Sequence, residues 1–180
     1  MAVYTKINQK EINIINKKFN IDKVISFKGI KQGIENTNYL LKSKKKKYIL
    51  TIFEKRVLQK EIPFFMKLMD NLNNSKINCP KPLKTKENKY LIKLKNKTAC
   101  IVSFLEGKDK KILNINDCYA IGKTIARMHV VTNKMKLNRK NSMGIRNLKP
   151  LLESIKLKTK KFSNFSLILF YCHILAVIND

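Results

Sequence analysis

The sequence predicts an α+β chain: a five-stranded antiparallel sheet with one helix inserted after the third strand, followed by a helical region. Three observations predict it. Short apolar runs bounded by Gly or by Lys- and Asn-rich turns recur as far as Leu105. Between the third and fourth runs the period changes to three/four over residues 58–72. After Gly107 the pattern is helical.

Each element has its own signal. Asn8 and Glu11 sit three apart, as in a capping box, and Ile12, Ile15 and Phe19 follow as a helical stripe. Residues 24–28 read as a strand closed by Gly29, residues 38–42 as a second and residues 48–53 as a third. The polar segment 43–47, with its lysine run, is a hairpin tip, read as a solvated surface in preference to a phosphate patch. In the helix over 58–72, Ile62, Phe65, Met66 and Met69 share a face, and Pro63 falls in the first turn, where a missing N–H is tolerated. Cys79-Pro80-Lys81-Pro82 ends it in extended backbone. Residues 90–94 and 98–105 form a second hairpin around Lys95-Asn96-Lys97. Asn116 is the expected cap of a helix carrying Cys118, Ile121, Ile125 and Met128. Residues 148–162 read as a further helix with Pro150 near its start. The domain division expected is 1–105 and 106–180, the latter ending in an apolar tail, 163–180.

Composition sets limits on function. The chain has 180 residues, and its apolar fraction of 44% argues against wholesale disorder. Its four cysteines include no CxxC pair, which excludes a zinc ribbon or thioredoxin-type site and reads as reduced core cysteines. With 39 basic and 12 acidic residues the net charge is +27, a value that suggests nucleic acid. However, 35 of the basic residues are Lys and four are Arg, the residue that does bidentate work on phosphates and guanine edges. Lys, Asn and Ile together make up 78 residues, and all three have AT-rich codons. Much of the charge therefore reads as coding bias on solvated surfaces, and no specific nucleic-acid partner is expected. The N-terminus has no apolar export segment. The apolar run 165–178 would span about 21 Å as a helix, short of the roughly 30 Å hydrocarbon core. A cytoplasmic chain without a membrane partner is expected.

The order of strands and helices is that of the small lobe of a kinase. Such a lobe needs a turn whose amides face phosphates, a cation nearby, and a linker whose free backbone groups meet a purine. The segment from Gly33 to Leu41, with Asn36 and Asn38, occupies the turn position, though two asparagines in an Asn-rich chain are weak support. Residues 101–107, an apolar strand running into Glu106-Gly107, suit an interlobe linker or any strand ending in a turn. His129, near the end of a helix, reads as a packing residue rather than a base.

Several stretches in register resemble bacterial homoserine kinase of the aminoglycoside phosphotransferase-like type. These are residues 4–7, 26–30, 33–41, 48–56, 63–69, 79–82, 99–107, 122–129, 138–144 and 150–152. The resemblance implies a protein-kinase-like small lobe followed by an incomplete helical large lobe. It implies phosphorylation of the L-homoserine hydroxyl in threonine biosynthesis, with ATP and Mg²⁺ as cofactors. It places Gly33, Asn36 and Asn38 at the ATP phosphates and the backbone of Ser103, Phe104 and Leu105 at adenine. Where many kinases carry a strand-three Lys this chain has Thr51; Lys55, four residues on, is the expected substitute and Glu61 its expected partner.

The family's His-x-Asp-x-x-x-x-Asn loop is missing. Two residues after His129 and His173 stand Val131 and Leu175. No catalytic or metal-ligating residue is therefore assigned, and the expectation is a C-terminally truncated, inactive family member. An internal deletion, a frameshift and a truncated reading frame stay open as its origin. A non-catalytic nucleotide-binding remnant is the first alternative, and a Lys-rich nucleic-acid binder the second.

Overall fold

The computed structural model describes residues 3–55 and 57–140, with Leu148 and Pro150. The chain divides into two units, Met1–Leu137 and Asn138–Asp180, and the elements below lie in the first. Of the helix expected at 148–162, only Leu148 and Pro150 are described, both helical. The rest of it, and the tail 163–180, lie outside the described residues.

Helix α1 (Gln9–Lys18) starts at the predicted capping box. The Asn8 side chain accepts from the Lys10 N–H at 2.9 Å, and the Asn8 N–H donates to Glu11 Oε2 at 2.7 Å. Strands β1 (Ser26–Gly29), β2 (Thr37–Lys42) and β3 (Lys47–Ile52) follow within one or two residues of expectation. Lys44, Lys45 and Lys46 are exposed at the β2–β3 tip, which Ser43 closes by donating from its N–H and hydroxyl to the Lys46 carbonyl.

The helix expected from residue 58 is a 3₁₀ turn (Gln59–Glu61) leading into α2 (Ile62–Asn74). Pro63 explains the later start. It offers no N–H to the residue 59 carbonyl, and its ring crowds that carbonyl, so α-helix cannot run through it from the N-terminal side. Strands β4 (Leu91–Leu94) and β5 (Lys97–Ser103) join through Lys95 and Asn96, both left-handed (φ 47° and 62°), the twist a two-residue hairpin turn needs.

All neighbouring strands are antiparallel, in the order β1-β2-β3-β5-β4. Residues 98–102 of β5 are all buried, because that strand has β3 and β4 beside it and a helix over each face. On one face Ile12, Ile15 and Phe19 pack with Leu41, Leu50, Leu94 and Ile101. On the other, Ile62 and Met66 of α2 pack with Cys100 and Val102, with Ile49 and Phe53 at the margin.

Helix α3 (Ile115–Asn133) is capped by Asn114, not by Asn116. Asn114 has Asp117 at the third helical position, and the two exchange side chain–backbone bonds at 2.9 Å each way. Asn116 would find Tyr119 there, which cannot reciprocate. On the α3 stripe, Ile121 and Ile125 are each 47% exposed. The core reading of the cysteines holds for Cys100, which is buried; Cys79 is half-buried and Cys118 is exposed.

Leu50 is fully buried on the central strands, whereas Leu58 is 55% exposed. Leu50→Ala is expected to cost about 3 kcal/mol in urea unfolding, and Leu58→Ala about 0.5 kcal/mol or less.

Candidate functional site

The site is built where the β1–β2 ladder opens. Its last rung is the Ile30 N–H donating to the Asn38 carbonyl at 2.8 Å. The chain then leaves the sheet until Thr37 returns it. Gly33 in this loop has φ +98°, which a side chain would strain, and no atom lies within 4 Å of where its Cβ would be. Glycine is needed here for the backbone turn, and the space above it is open. Ile34 beside it is 74% exposed.

The two asparagines are held by their oxygens. Asn38 faces its cross-strand partner Thr51, whose hydroxyl donates to Asn38 Oδ1 at 2.8 Å. Asn36 Oδ1 accepts from the Glu54 backbone N–H at 3.3 Å. In each carboxamide the end not so held is the NH₂, the donor an anionic ligand requires.

Behind the loop lies a buried polar node that the sequence did not disclose. The Glu54 side chain is only 10% exposed. Its Oε1 accepts from the Thr5 and Thr37 hydroxyls at 2.7 Å each, and its Oε2 is ion-paired with Lys97. The Lys97 ammonium also donates to Thr5 Oγ1 at 2.7 Å. Thr37, fully buried, accepts from the Tyr4 and Thr5 N–H groups at 3.0 and 3.1 Å. Burial pushes the Glu54 carboxyl up. The bonds from Lys97, Thr5 and Thr37 and the Lys97 charge outweigh burial and leave it below the usual glutamate value. Thr5 lies 49 residues before Glu54 and Lys97 lies 43 after it. The only local trace is an acid directly following an apolar strand.

Lys55 is exposed in the turn after β3. With Tyr4, Ile34, Glu35, Glu54 and Lys97 it lines a depression of about 370 Å³ beside the loop. Glu61 closes the 3₁₀ turn, and the ion pairs seen among the described residues do not join it to Lys55. The partly buried Lys–Glu pair seen here is Lys97–Glu54.

At the exit of β5, the Ser103 N–H donates to the Lys81 carbonyl and Ser103 Oγ accepts from the Lys81 N–H, both at 2.9 Å. The Phe104 N–H donates to the Lys47 carbonyl at 3.3 Å. The Lys47 ammonium sits 5.2 Å from the Phe104 ring centre and pairs with Glu106 at 2.8 Å. Leu105, 40% exposed, has the first amide of this segment whose N–H donates to nothing among the described residues.

Burial pushes the Cys100 thiol up to about 12, so it stays a protonated core residue. Burial and the hydrogen bond to Asp70 (2.7 Å) push Tyr90 up to about 12 and fasten α2 beside β4. Among the described residues no group of three or more His, Cys, Asp or Glu side chains gathers to hold a metal ion. Among them, too, no helix is long and apolar enough to cross a membrane.

A model of the phosphotransferase enzyme family matches residues 26–159. The chain belongs to this family. Within it, the homoserine kinase of Paramagnetospirillum magneticum is 39% identical over 156 residues, covering 87% of this chain and 48% of the relative. That of Parvibaculum lavamentivorans is 36% identical over 156 residues, covering 87% and 49%. The chain thus spans about half the length of the curated relatives it matches. Solved phosphotransferases share the fold. Spectinomycin phosphotransferase, in complex with ADP and spectinomycin, superposes with a TM-score of 0.67 at 18% identity, covering 89% of this chain and 50% of the other. The aminoglycoside phosphotransferase of Alicyclobacillus acidocaldarius gives 0.59 at 12%, covering 99% and 55%. The phosphotransferase fold expected of the sheet and its helices is therefore confirmed.

Because the Glu54 carboxyl is held below its ordinary value of 4.5, the stability it contributes is complete above that pH and is lost as pH falls through the lower, folded-state value. Glu54→Gln is therefore expected to be less stable than the parent at neutral pH. It should also lose less melting temperature than the parent between about pH 6 and pH 3, followed by circular dichroism.

Proposed function

We propose that this chain carries the ATP-binding lobe of a homoserine kinase, the enzyme that moves the γ-phosphoryl group of ATP to the side-chain hydroxyl of L-homoserine. The observation that carries the reading is the 39% identity to a homoserine kinase, sustained over 156 residues that include the loop, the asparagines and the β5 exit. The geometry fits an adenine nucleotide. The open backbone at Gly33 lets phosphate oxygens approach main-chain amides, the NH₂ ends of Asn36 and Asn38 donate to them, and Lys55 supplies a cation at the rim. The Leu105 N–H is the donor for a purine ring nitrogen, while Ser103 and Phe104, bonded to Lys81 and Lys47, fix the segment that presents it.

Among the described residues no group of three or more His, Cys, Asp or Glu side chains gathers to hold Mg²⁺ by protein ligands alone. The 180 residues contain no His-x-Asp sequence to take the hydroxyl proton. Positioning alone leaves the charge that develops during phosphoryl transfer without stabilisation. The reading is therefore nucleotide binding without turnover by this chain alone.

With ATP about a hundredfold above its dissociation constant, the melting temperature is expected to rise by about 5–10 °C. Incubation with ATP, Mg²⁺ and L-homoserine is expected to give no O-phosphohomoserine above a no-protein control. Absence of any thermal shift overturns the binding reading, and product above the control overturns the inactivity. To test the homoserine assignment, residues 1–155 would replace the matching portion of the Paramagnetospirillum magneticum relative. A folded chimera is expected to phosphorylate L-homoserine, and a folded chimera that forms no O-phosphohomoserine overturns the assignment.

A further inference from the structure

The segment before α1 is joined to the β1–β2 loop by bonds that the fold alone does not demand. The Tyr4 hydroxyl donates to the Ile34 carbonyl at 3.0 Å, inside the loop and next to Gly33. The Tyr4 and Thr5 amides donate to the Thr37 hydroxyl at the loop's end, and the Thr5 hydroxyl donates to Glu54. Glu54 reaches the loop a second time, through its own N–H to Asn36. The Glu54 carboxylate, accepting from the Thr5 and Thr37 hydroxyls, anchors both the strap and the far end of the loop, and Lys97 neutralises it.

The geometry points to a strap. Tyr4 and Thr5, clamped by Glu54 and Thr37, hold the loop of residues 31–36 in one conformation, and Glu54 is the positioning residue that places a bound nucleotide's phosphates. The effect on phosphates rests on the nucleotide-binding reading above; the ordering of the loop does not. The physical reason is entropic. A six-residue exposed loop with a left-handed glycine samples many conformers, and only those with amides converging on one point bind an anion. A strap that removes the others before the ligand arrives raises affinity for the phosphates without touching them. The purine end, at Leu105, is not tied to the strap by any hydrogen bond among the described residues.

The test uses the full chain, with Mg·ATP and adenosine as probes in titration calorimetry, on the parent, Tyr4→Phe and Glu54→Gln. Tyr4→Phe removes one hydroxyl from a ring that is 56% exposed, so folding is retained even where Glu54→Gln compromises it. The dissociation constant for ATP is expected to rise about fivefold in each folded variant, the size of one lost positioning hydrogen bond, with that for adenosine unchanged. A merely structural role would weaken both ligands together. Equal weakening of ATP and adenosine, or an unchanged ATP constant in Tyr4→Phe, overturns the proposal. Backbone ¹⁵N order parameters of residues 31–36 in the ligand-free protein supply the independent arm. They are expected to fall in Tyr4→Phe while those of β5 hold, and no change at 31–36 overturns the strap. If the parent binds neither ATP nor adenosine, the nucleotide reading fails and the order parameters alone decide the strap.

Discussion

The carboxylate of Glu54 is the constraint around which the sheet and its candidate site are arranged. It stands at the end of β3, almost out of solvent, and receives hydrogen bonds from the segment before α1 and from the start of β2, plus an ion pair from the start of β5. A buried carboxylate without partners is costly, so each of these segments must be in place for the charge to be tolerated. The same requirement makes the node specific. Removing the Thr37 hydroxyl would strip Glu54 of a donor and leave two backbone amides, those of Tyr4 and Thr5, without their acceptor. The polar node sets where the chain enters the sheet and where the β1–β2 loop ends.

What the sequence made legible was local. The Asn8–Glu11 capping box, the hairpin tips and the alternation of β2 and β3 all depend on neighbours within a few residues, and all are present in the structure. Local signals mislead where two of them compete, as at the start of α3. Asn114 and Asn116 are both good caps in isolation, and the reciprocating Asp117 decides for the first. The α3 stripe has helical spacing, which determines that a helix forms but not what covers it. Residues that build the site across 43 to 49 positions of sequence leave no periodic or spacing signal at all.

The lysine excess looks different once its members are placed. Lys44 to Lys46 sit at a solvated tip, consistent with surface coding bias. Lys97 and Lys47 do not behave as generic surface charge: one neutralises Glu54, and the other lies over Phe104 and pairs with Glu106 at the exit of β5. Both are the first residue of a strand, and both act on segments flanking the candidate site. A composition count cannot separate such lysines from the rest, because the difference lies in the acid or ring each one meets.

The candidate site depends mostly on main chain, and this is why its chemistry was faint in the residues. Gly33 matters for a backbone angle, Leu105 for an amide with no partner among the described residues, and Asn36 and Asn38 for the donor ends left after the fold takes their oxygens. None of these roles requires a rare residue type, so none stands out in an Asn-rich chain. They become informative only in order along the chain and in register across the sheet, where Asn38 faces Thr51 and Asn36 meets Glu54. That combination ties the loop's asparagines to β3 and its immediate exit. A displacement of β3 by one residue would turn Thr51 away from Asn38, shift the Glu54 amide from Asn36, and move the carboxylate that holds Thr5 and Thr37. The arrangement that satisfies the buried charge is thus also the arrangement that presents the loop.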